Sequence, residues 1–166
     1  MQYLYYLTQI GLALCPMSNN ALFVKLKDSP VGQFFRRGLR VSLCTDDPMQ
    51  FHQTESPLIE EYLISAEQFG LNNPDKAEIA RNSVLISRFD PAFKRKWIGE
   101  KYDSPDPLES NDPDKTNVPN VRLHFRHQLL LRELHYLAGY AAAGGKLTIG
   151  SEVELCGFKV VVPQPV

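Results

Sequence analysis

Cysteine is scarce in this 166-residue chain. Cys15, Cys44 and Cys156 lie far apart and form no Cys-x-x-Cys pair. That argues against a disulfide framework and an all-cysteine zinc site, and makes the reducing cytosol the expected compartment. No apolar run approaches the roughly 18 residues of a membrane-spanning helix, so no span is expected. Neither charge sign dominates: 18 Lys and Arg face 19 Asp and Glu, for a net charge of −1. A general nucleic-acid binder would show a clear basic excess. Met1-Gln2-Tyr3-Leu4 carries no basic stretch of the kind that opens a secretory signal, so none is expected. Hydrophobic residues make up 43% of the chain, too many for a disordered segment, and the length suits one domain.

Proline, by contrast, is well represented. Pro30, Pro57, Pro74 and Pro91 each follow a residue that caps helices well: Ser29, Ser56, Asn73 and Asp90. A cap residue followed by Pro marks a helix start, because Pro lacks an N–H that the first turn could not use anyway. The residues between these points do not match one another, so they read as repeated helix starts and not as a sequence repeat.

Tyr3 to Gln9 reads as the end of a helix. Leu12 to Cys15, opened by Gly11 and stopped by Pro16, reads as a buried strand, followed by a polar turn at Ser18-Asn19-Asn20. A short helix from Pro30 to Arg37 ends at Gly38. Leu39 to Cys44 is a second strand. Strand, helix and strand in this order predict a parallel pair. Three helices then follow, Pro57–Phe69, Asp75–Ser87 and Pro91–Tyr102. A loop rich in Asp, Pro and Asn runs to Pro119. Val121 to Tyr140 is a long amphipathic helix with Leu123, Leu130, Leu134 and Leu137 on its inner stripe. Lys146 to Val162 alternates as two or three short strands: Leu147/Ile149, Val153/Leu155 and Phe158/Val160/Val162. Two parallel strands make no free-standing sheet, so the chain reads as part of a larger α/β domain. Such a piece should leave an apolar face uncovered around Leu12, Leu14, Val41 and Leu43.

The second strand ends in Thr45-Asp46-Asp47-Pro48. Adjacent carboxylates at the end of a buried strand need a cation or hydrogen-bond donors. In a β/α barrel that end of the strand is where active sites lie. An Asx-turn, with Asp46 or Asp47 capping the reversal before Pro48, is the structural alternative.

The longer string Ser42-Leu-Cys-Thr-Asp-Asp-Pro-Met-Gln-Phe-His52 resembles the SLSTDDPLQFH motif of AMP deaminases, with Cys44 and Met49 in place of Ser and Leu. Glu55 to Tyr62 is similar to that family's EPLxEEY, and Glu78 to Val84 to its EIARNSV. Trp97-Ile98-Gly99, Asn111-Asp112 and Thr116-Asn117-Val118 resemble the stretch before the family's last helix. Upstream, Gln2 to Leu7 and Cys15 to Asn20 resemble QYLYYL and PLSNN. The resemblance runs in order over about residues 2 to 137.

It implies an α/β fold, the C-terminal portion of a (β/α)8 TIM-type barrel, over residues 1–140, with residues 141–166 an atypical tail of possible short strands. It implies hydrolytic deamination of AMP to IMP and ammonia with one Zn2+ per subunit. By position, Asp46 would be a zinc ligand, and Asp47 would contact the purine near N7. Asp47, Pro48, Met49 and Gln50 would line the substrate pocket. A carboxylate oxygen is an ordinary zinc ligand, and zinc makes bound water acidic enough to act as a nucleophile near neutral pH. The family's paired histidines, its later zinc-binding histidine and its catalytic residues have no counterpart here, so no catalytic residue is assigned. The remaining zinc ligands are expected outside this chain, and the isolated chain is expected to be an inactive fragment. The resemblance also suggests a cytosolic homotetramer, with no nucleic-acid partner. An adenosine deaminase-like enzyme, or a non-catalytic piece serving subunit assembly, are the competing readings.

Elsewhere, His52 reads as solvent-facing or structural, with a role near a phosphate or metal as the alternative. His124, His127 and His135 read as surface or interface residues. Arg36, Arg37 and Arg40 suit a helix C-terminus. Ser18, Asn19 and Asn20 either join the site or form a plain turn. Cys44 reads as a small buried apolar residue.

Overall fold

A computed structural model describes residues 1–144, 152–155 and 158–161, with side chains to residue 141. Helix α1, Gln2–Thr8, leads into strand β1, Leu12–Leu14. Helix α2, Pro16–Leu22, a 3-10 turn over Leu26–Asp28 and helix α3, Val31–Arg36, connect to strand β2, Val41–Leu43. Then come α4 (Pro48–Phe51), α5 (Pro57–Phe69), α6 (Asn73–Ile86), α7 (Pro91–Trp97), α8 (Pro113–Thr116) and the long α9 (Asn120–Gly144). The last described strands are β3, Glu152–Leu155, and β4, Phe158–Val161, an antiparallel pair. Leu147, Ile149 and Val162, expected in strands, lie outside the described residues.

The expected parallel pair is present: Leu12 faces Val41, Ala13 faces Ser42 and Leu14 faces Leu43. Gly11 opens β1 because the side chain of Ile86 lies against it; a Cβ there would sit 2.3 Å from Ile86 Cγ2. Gly38 ends α3 with φ 84°, its N–H bonding Phe35 O while Leu39 N–H reaches back to Phe34 O. This is the paired closure that a left-handed glycine permits. Asp90-Pro91 starts α7 with the expected cap, Ser56-Pro57 starts α5 without a side-chain cap bond, and α6 begins one residue earlier than expected. Asn72 is its cap, exchanging hydrogen bonds with Asp75, and Pro74 falls in the first turn. Asp112-Pro113 opens a helix by the same chemistry, Asp112 accepting from Asp114 N, and Asp47-Pro48 opens one without a side-chain cap bond.

Three expectations fail. Ser18-Asn19-Asn20 is no turn; it lies within α2. The apolar residues of the strands are not left uncovered as a set. Val41 and Leu43 are buried with Val31, Phe35, Leu39, Phe69, Leu71 and Ile79, because α3, α5 and α6 all pack on β2. Leu12 and Leu14 are half-buried and Ala13 is exposed, so β1 is not the fully buried strand expected. Exposed apolar side chains occur instead at Leu4, Phe23, Val24, Val121 and Phe125. A second cluster joins Leu7 of α1 to Leu130, Leu134 and Ala138 of α9, with Leu137 at its edge.

The motif Glu78–Val84 has a structural explanation. Ile79 is fully buried in the core. Asn82 donates from Nδ2 to the Val41 carbonyl at 3.1 Å, tying α6 to β2. Glu78 pairs with Arg122 and Arg126 of α9, and Arg122 also reaches Asp75. Arg126 stacks over Phe35 at 4.7 Å. Arg81 donates to Asn111 Oδ1 at 3.0 Å and to Ser110 O at 3.1 Å. Burial, then the nearby Arg40, pulls the Arg81 guanidinium down to about 10. Asn111 Nδ2 in turn donates to Val118 O at 3.0 Å, and Asn111 Oδ1 accepts from Thr116 at 2.8 Å. Asn111 therefore pins the polar loop that follows α7 against α6. Truncation leaves one buried guanidinium N–H of Arg81 and the buried Val118 carbonyl without that partner, each costing roughly 1–3 kcal/mol. Asn111→Ala is expected to lower unfolding stability by about 3 kcal/mol in urea titrations; a loss under ~0.5 kcal/mol, the range of a neutral surface change, would refute this role.

Candidate functional site

Parallel pairing brings the carboxyl ends of β1 and β2 side by side, each followed at once by a turn into a short helix. At the β1 end, Pro16 starts α2 directly after the strand, and this places Ser18 in the interior at 1% exposure. At the β2 end, the chain turns through Asp46, whose φ is 54°. Left-handed backbone is uncommon outside glycine, and Asp is among the few residues that adopt it with some ease. The turn directs the Asp46 carboxylate back across the strand ends, where Ser18 Oγ donates to Asp46 Oδ2 at 2.8 Å.

Asp47 is the cap residue of α4, yet its side chain makes no capping bond. Its backbone carbonyl does the local work, accepting from Gln50 N at 3.0 Å and Phe51 N at 3.3 Å. The Asx-turn alternative thus fails for the Asp47 carboxylate. Asp47, Pro48, Met49 and Gln50 form an exposed lip beside Asp46, with Met49 at 96% exposure.

Behind this lip lie two residues whose importance the sequence reading missed. Glu61 of α5 is fully buried, and its carboxylate accepts from Met17 N–H at 3.3–3.4 Å. His52, at the end of α4, meets Glu61 Oε1 through Nε2 at 3.1 Å, and both side chains are sealed from solvent. His52 is therefore structural and not solvent-facing. Burial pushes the Glu61 carboxyl above its ordinary range, against the hydrogen bonds from Met17 and His52. The next carboxylate, Glu60, accepts from Gln53 N at 3.1 Å and from Thr54 N. The cap-lacking EEY segment gave one signal, a carboxylate on the inner face of an amphipathic helix. Nothing in spacing alone joined it to His52 across the intervening turn.

Cys15 and Cys44 extend the two strands, and their Sγ atoms lie 2.9 Å apart as free thiols. The Cys15 thiol is pushed up to about 12 by burial first, then by Cys44 and by the Asp46 and Glu61 carboxylates. Cys44 is half-buried and contacts another thiol, so it is more than apolar filler. Of the other polar residues, Asn20 serves the fold by accepting from Leu26 N at 2.8 Å. Arg36 donates to Phe69 O in the last turn of α5, as a cation at a helix end should.

Among the described residues no three His, Cys, Asp or Glu side chains converge as a metal cage. One oriented carboxylate, Asp46, is of the oxygen-donor type that zinc accepts. No described helix is long and apolar enough to cross a membrane.

A parallel strand pair packed with helices makes this an α/β fragment, and its carboxyl ends gather an oriented carboxylate, an exposed lip and a buried Glu–His pair. Comparison with known proteins makes this particular. The family model described as AMP deaminase matches residues 1–142. The AMP deaminase of Saccharomyces cerevisiae is 48% identical over 141 residues, covering 85% of this chain and 17% of that protein. The AMP deaminase of Arabidopsis thaliana is 49% identical over 155 residues, covering 92% of this chain and 18% of that protein. AMP deaminase 3 of Homo sapiens is 49% identical over 138 residues, covering 83% and 18%. The chain belongs to the AMP deaminase family, and it spans less than a fifth of the length of these relatives.

Asp46→Gly and Asp46→Ala both remove the acceptor of Ser18 and differ in the cost of left-handed backbone, roughly 1–2 kcal/mol for a residue with a Cβ. Asp46→Gly is expected to unfold with about 1 kcal/mol greater stability than Asp46→Ala. Equal stabilities in thermal or urea unfolding would show that the backbone at Asp46 is not held left-handed.

Proposed function

We propose that this chain contributes one corner of the active site of an AMP deaminase, which hydrolyses AMP to IMP and ammonia. The observation that carries the reading is the Asp46 carboxylate. It is turned across the strand ends by a left-handed backbone and held on one oxygen by Ser18, inside the stretch that the family model matches.

Asp46 is the residue that would hold zinc, with Oδ2 anchored by Ser18 and the other oxygen left for the cation. The Asp46 and Glu61 carboxylates, one at the strand ends and one behind them, suit a divalent ion there. Zinc when bound lowers the pKa of water towards about 7 and so supplies a nucleophile at neutral pH. The remaining ligands would come from polypeptide outside residues 1–166, within a (β/α)8 barrel of which β1 and β2 form part. Asp47, free of any capping duty, faces the purine near N7 and orients the ring. Pro48, Met49 and Gln50 form the exposed wall of the same pocket. Water then replaces the 6-amino group, which leaves as ammonia. We assign the protein to the cytosol as a homo-oligomer, in keeping with the free Cys15 and Cys44 thiols and the family.

In the complete deaminase polypeptide carrying this sequence, Asp46→Asn is expected to lower zinc content and AMP turnover together, the latter at least about a hundredfold, since the loss of one metal ligand or oxyanion-type contact costs roughly that much. Wild-type zinc content in that variant would remove Asp46 from the ligand set. Faster turnover of adenosine than of AMP by the unaltered protein would favour an adenosine deaminase instead.

A further inference from the structure

The Asp46 carboxylate is a functional group held by very little of its own loop. Its one side-chain tie among the described residues is Ser18, and Ser18 rides on α2. The geometry of the site therefore depends on what fixes α2 relative to the β2 loop. Besides the Cys15–Cys44 contact, one buried group touches both. The Glu61 carboxylate takes the Met17 N–H, one residue before Ser18, and the His52 imidazole, which closes the segment that begins at Asp46. The Met17 amide is one of the N-terminal donors that a helix leaves without an internal partner. Glu61 itself stands on α5, which packs on β2 and α2 and so forms a rigid base.

We propose that Glu61 is a positioning residue for the Asp46 carboxylate: from α5 it clamps the Met17 amide and the His52 ring, fixing the two corners between which Ser18 and Asp46 meet. The proposal deepens the deaminase reading and rests on it for its catalytic consequence. A buried carboxylate that supported only stability is replaceable at little cost by a neutral group of the same shape, because charge burial is expensive. What a neutral isostere must keep here is an acceptor. His52 and Met17 both approach Oε1, at 3.1 and 3.4 Å, so the single carbonyl oxygen of glutamine can receive both donors. Glu60 alone does not substitute, since it reaches Gln53 and Thr54 and neither Met17 nor the His52 ring.

The test uses the complete deaminase polypeptide carrying this sequence, as wild type, Glu61→Ala, Glu61→Gln and Asp46→Asn. Amide hydrogen exchange is read without substrate, and zinc loss to a chelator and steady-state AMP kinetics are read below the unfolding temperature of each variant. In Glu61→Ala, exchange is expected to rise at least tenfold in two separate segments, Met17–Asn19 and Thr45–His52, and to stay at wild-type rates in α9. Zinc is expected to leave at least tenfold faster and kcat to fall at least tenfold, with KM changed less than threefold. Glu61→Gln is expected to restore most of each loss. Wild-type exchange in either segment of a folded Glu61→Ala protein would overturn the proposal, as would a uniform rise across the molecule, which marks a purely structural residue. If both segments loosen while Asp46→Asn keeps its zinc, the clamp stands and the deaminase assignment of Asp46 falls instead.

Discussion

The structure at the strand ends turns on one hydrogen bond, Ser18 Oγ to Asp46 Oδ2 at 2.8 Å. It joins the segments that follow two neighbouring parallel strands. It requires Ser18 to be carried inward by a helix that starts without a linker after β1, and it requires Asp46 to accept a left-handed backbone. Neither condition is cheap: a non-glycine residue in that conformation costs roughly 1–2 kcal/mol. Such local strain persists where surrounding structure over-determines it, which here means the burial of Ser18, the start of α4 at Pro48 and the Glu61 clamp. An oriented carboxylate with one oxygen committed and the other uncommitted is the form in which a metal ligand is best presented.

The rest of the described fold supports that corner from a distance. The α6 face meets β2 through Ile79 and through the Asn82 side chain on the Val41 carbonyl. Glu78, Arg122, Arg126 and Asp75 hold α9 across α6, and Arg81 with Asn111 pins the proline-rich loop. Motif residues that look catalytic by type, a glutamate, an arginine and an asparagine in five positions, thus do packing work far from the strand ends. Family likeness marks both kinds of residue equally, and only the contact geometry separates them.

Much of this was legible in the sequence. The start of α5 followed from Ser56-Pro57, and the parallel pairing of β1 and β2 followed from strand, helix and strand in close order. The Asp46-Asp47 turn stood out as two carboxylates after a strand. Less legible was α2: Ser18-Asn19-Asn20 has the composition of a turn, and its helicity comes from Pro16 and from tertiary contacts that local preference does not register. The Glu61–His52 pair was hidden for a different reason. Its partners lie in separate elements joined by a turn, so no helical or strand period links them. The burial of Val41 and Leu43 was underestimated because α3, α5 and α6 converge on β2 alone, leaving β1 with the exposed Ala13.

The central claim is that Asp46 presents its uncommitted oxygen to a zinc ion. The most direct measurement is anomalous diffraction at the zinc edge from crystals of the complete polypeptide, locating the ion relative to that side chain. The account places zinc about 2.0–2.2 Å from an Asp46 carboxylate oxygen, with the Ser18 bond intact on the other. An ion bound elsewhere, with Asp46 held by Ser18 alone, would contradict it.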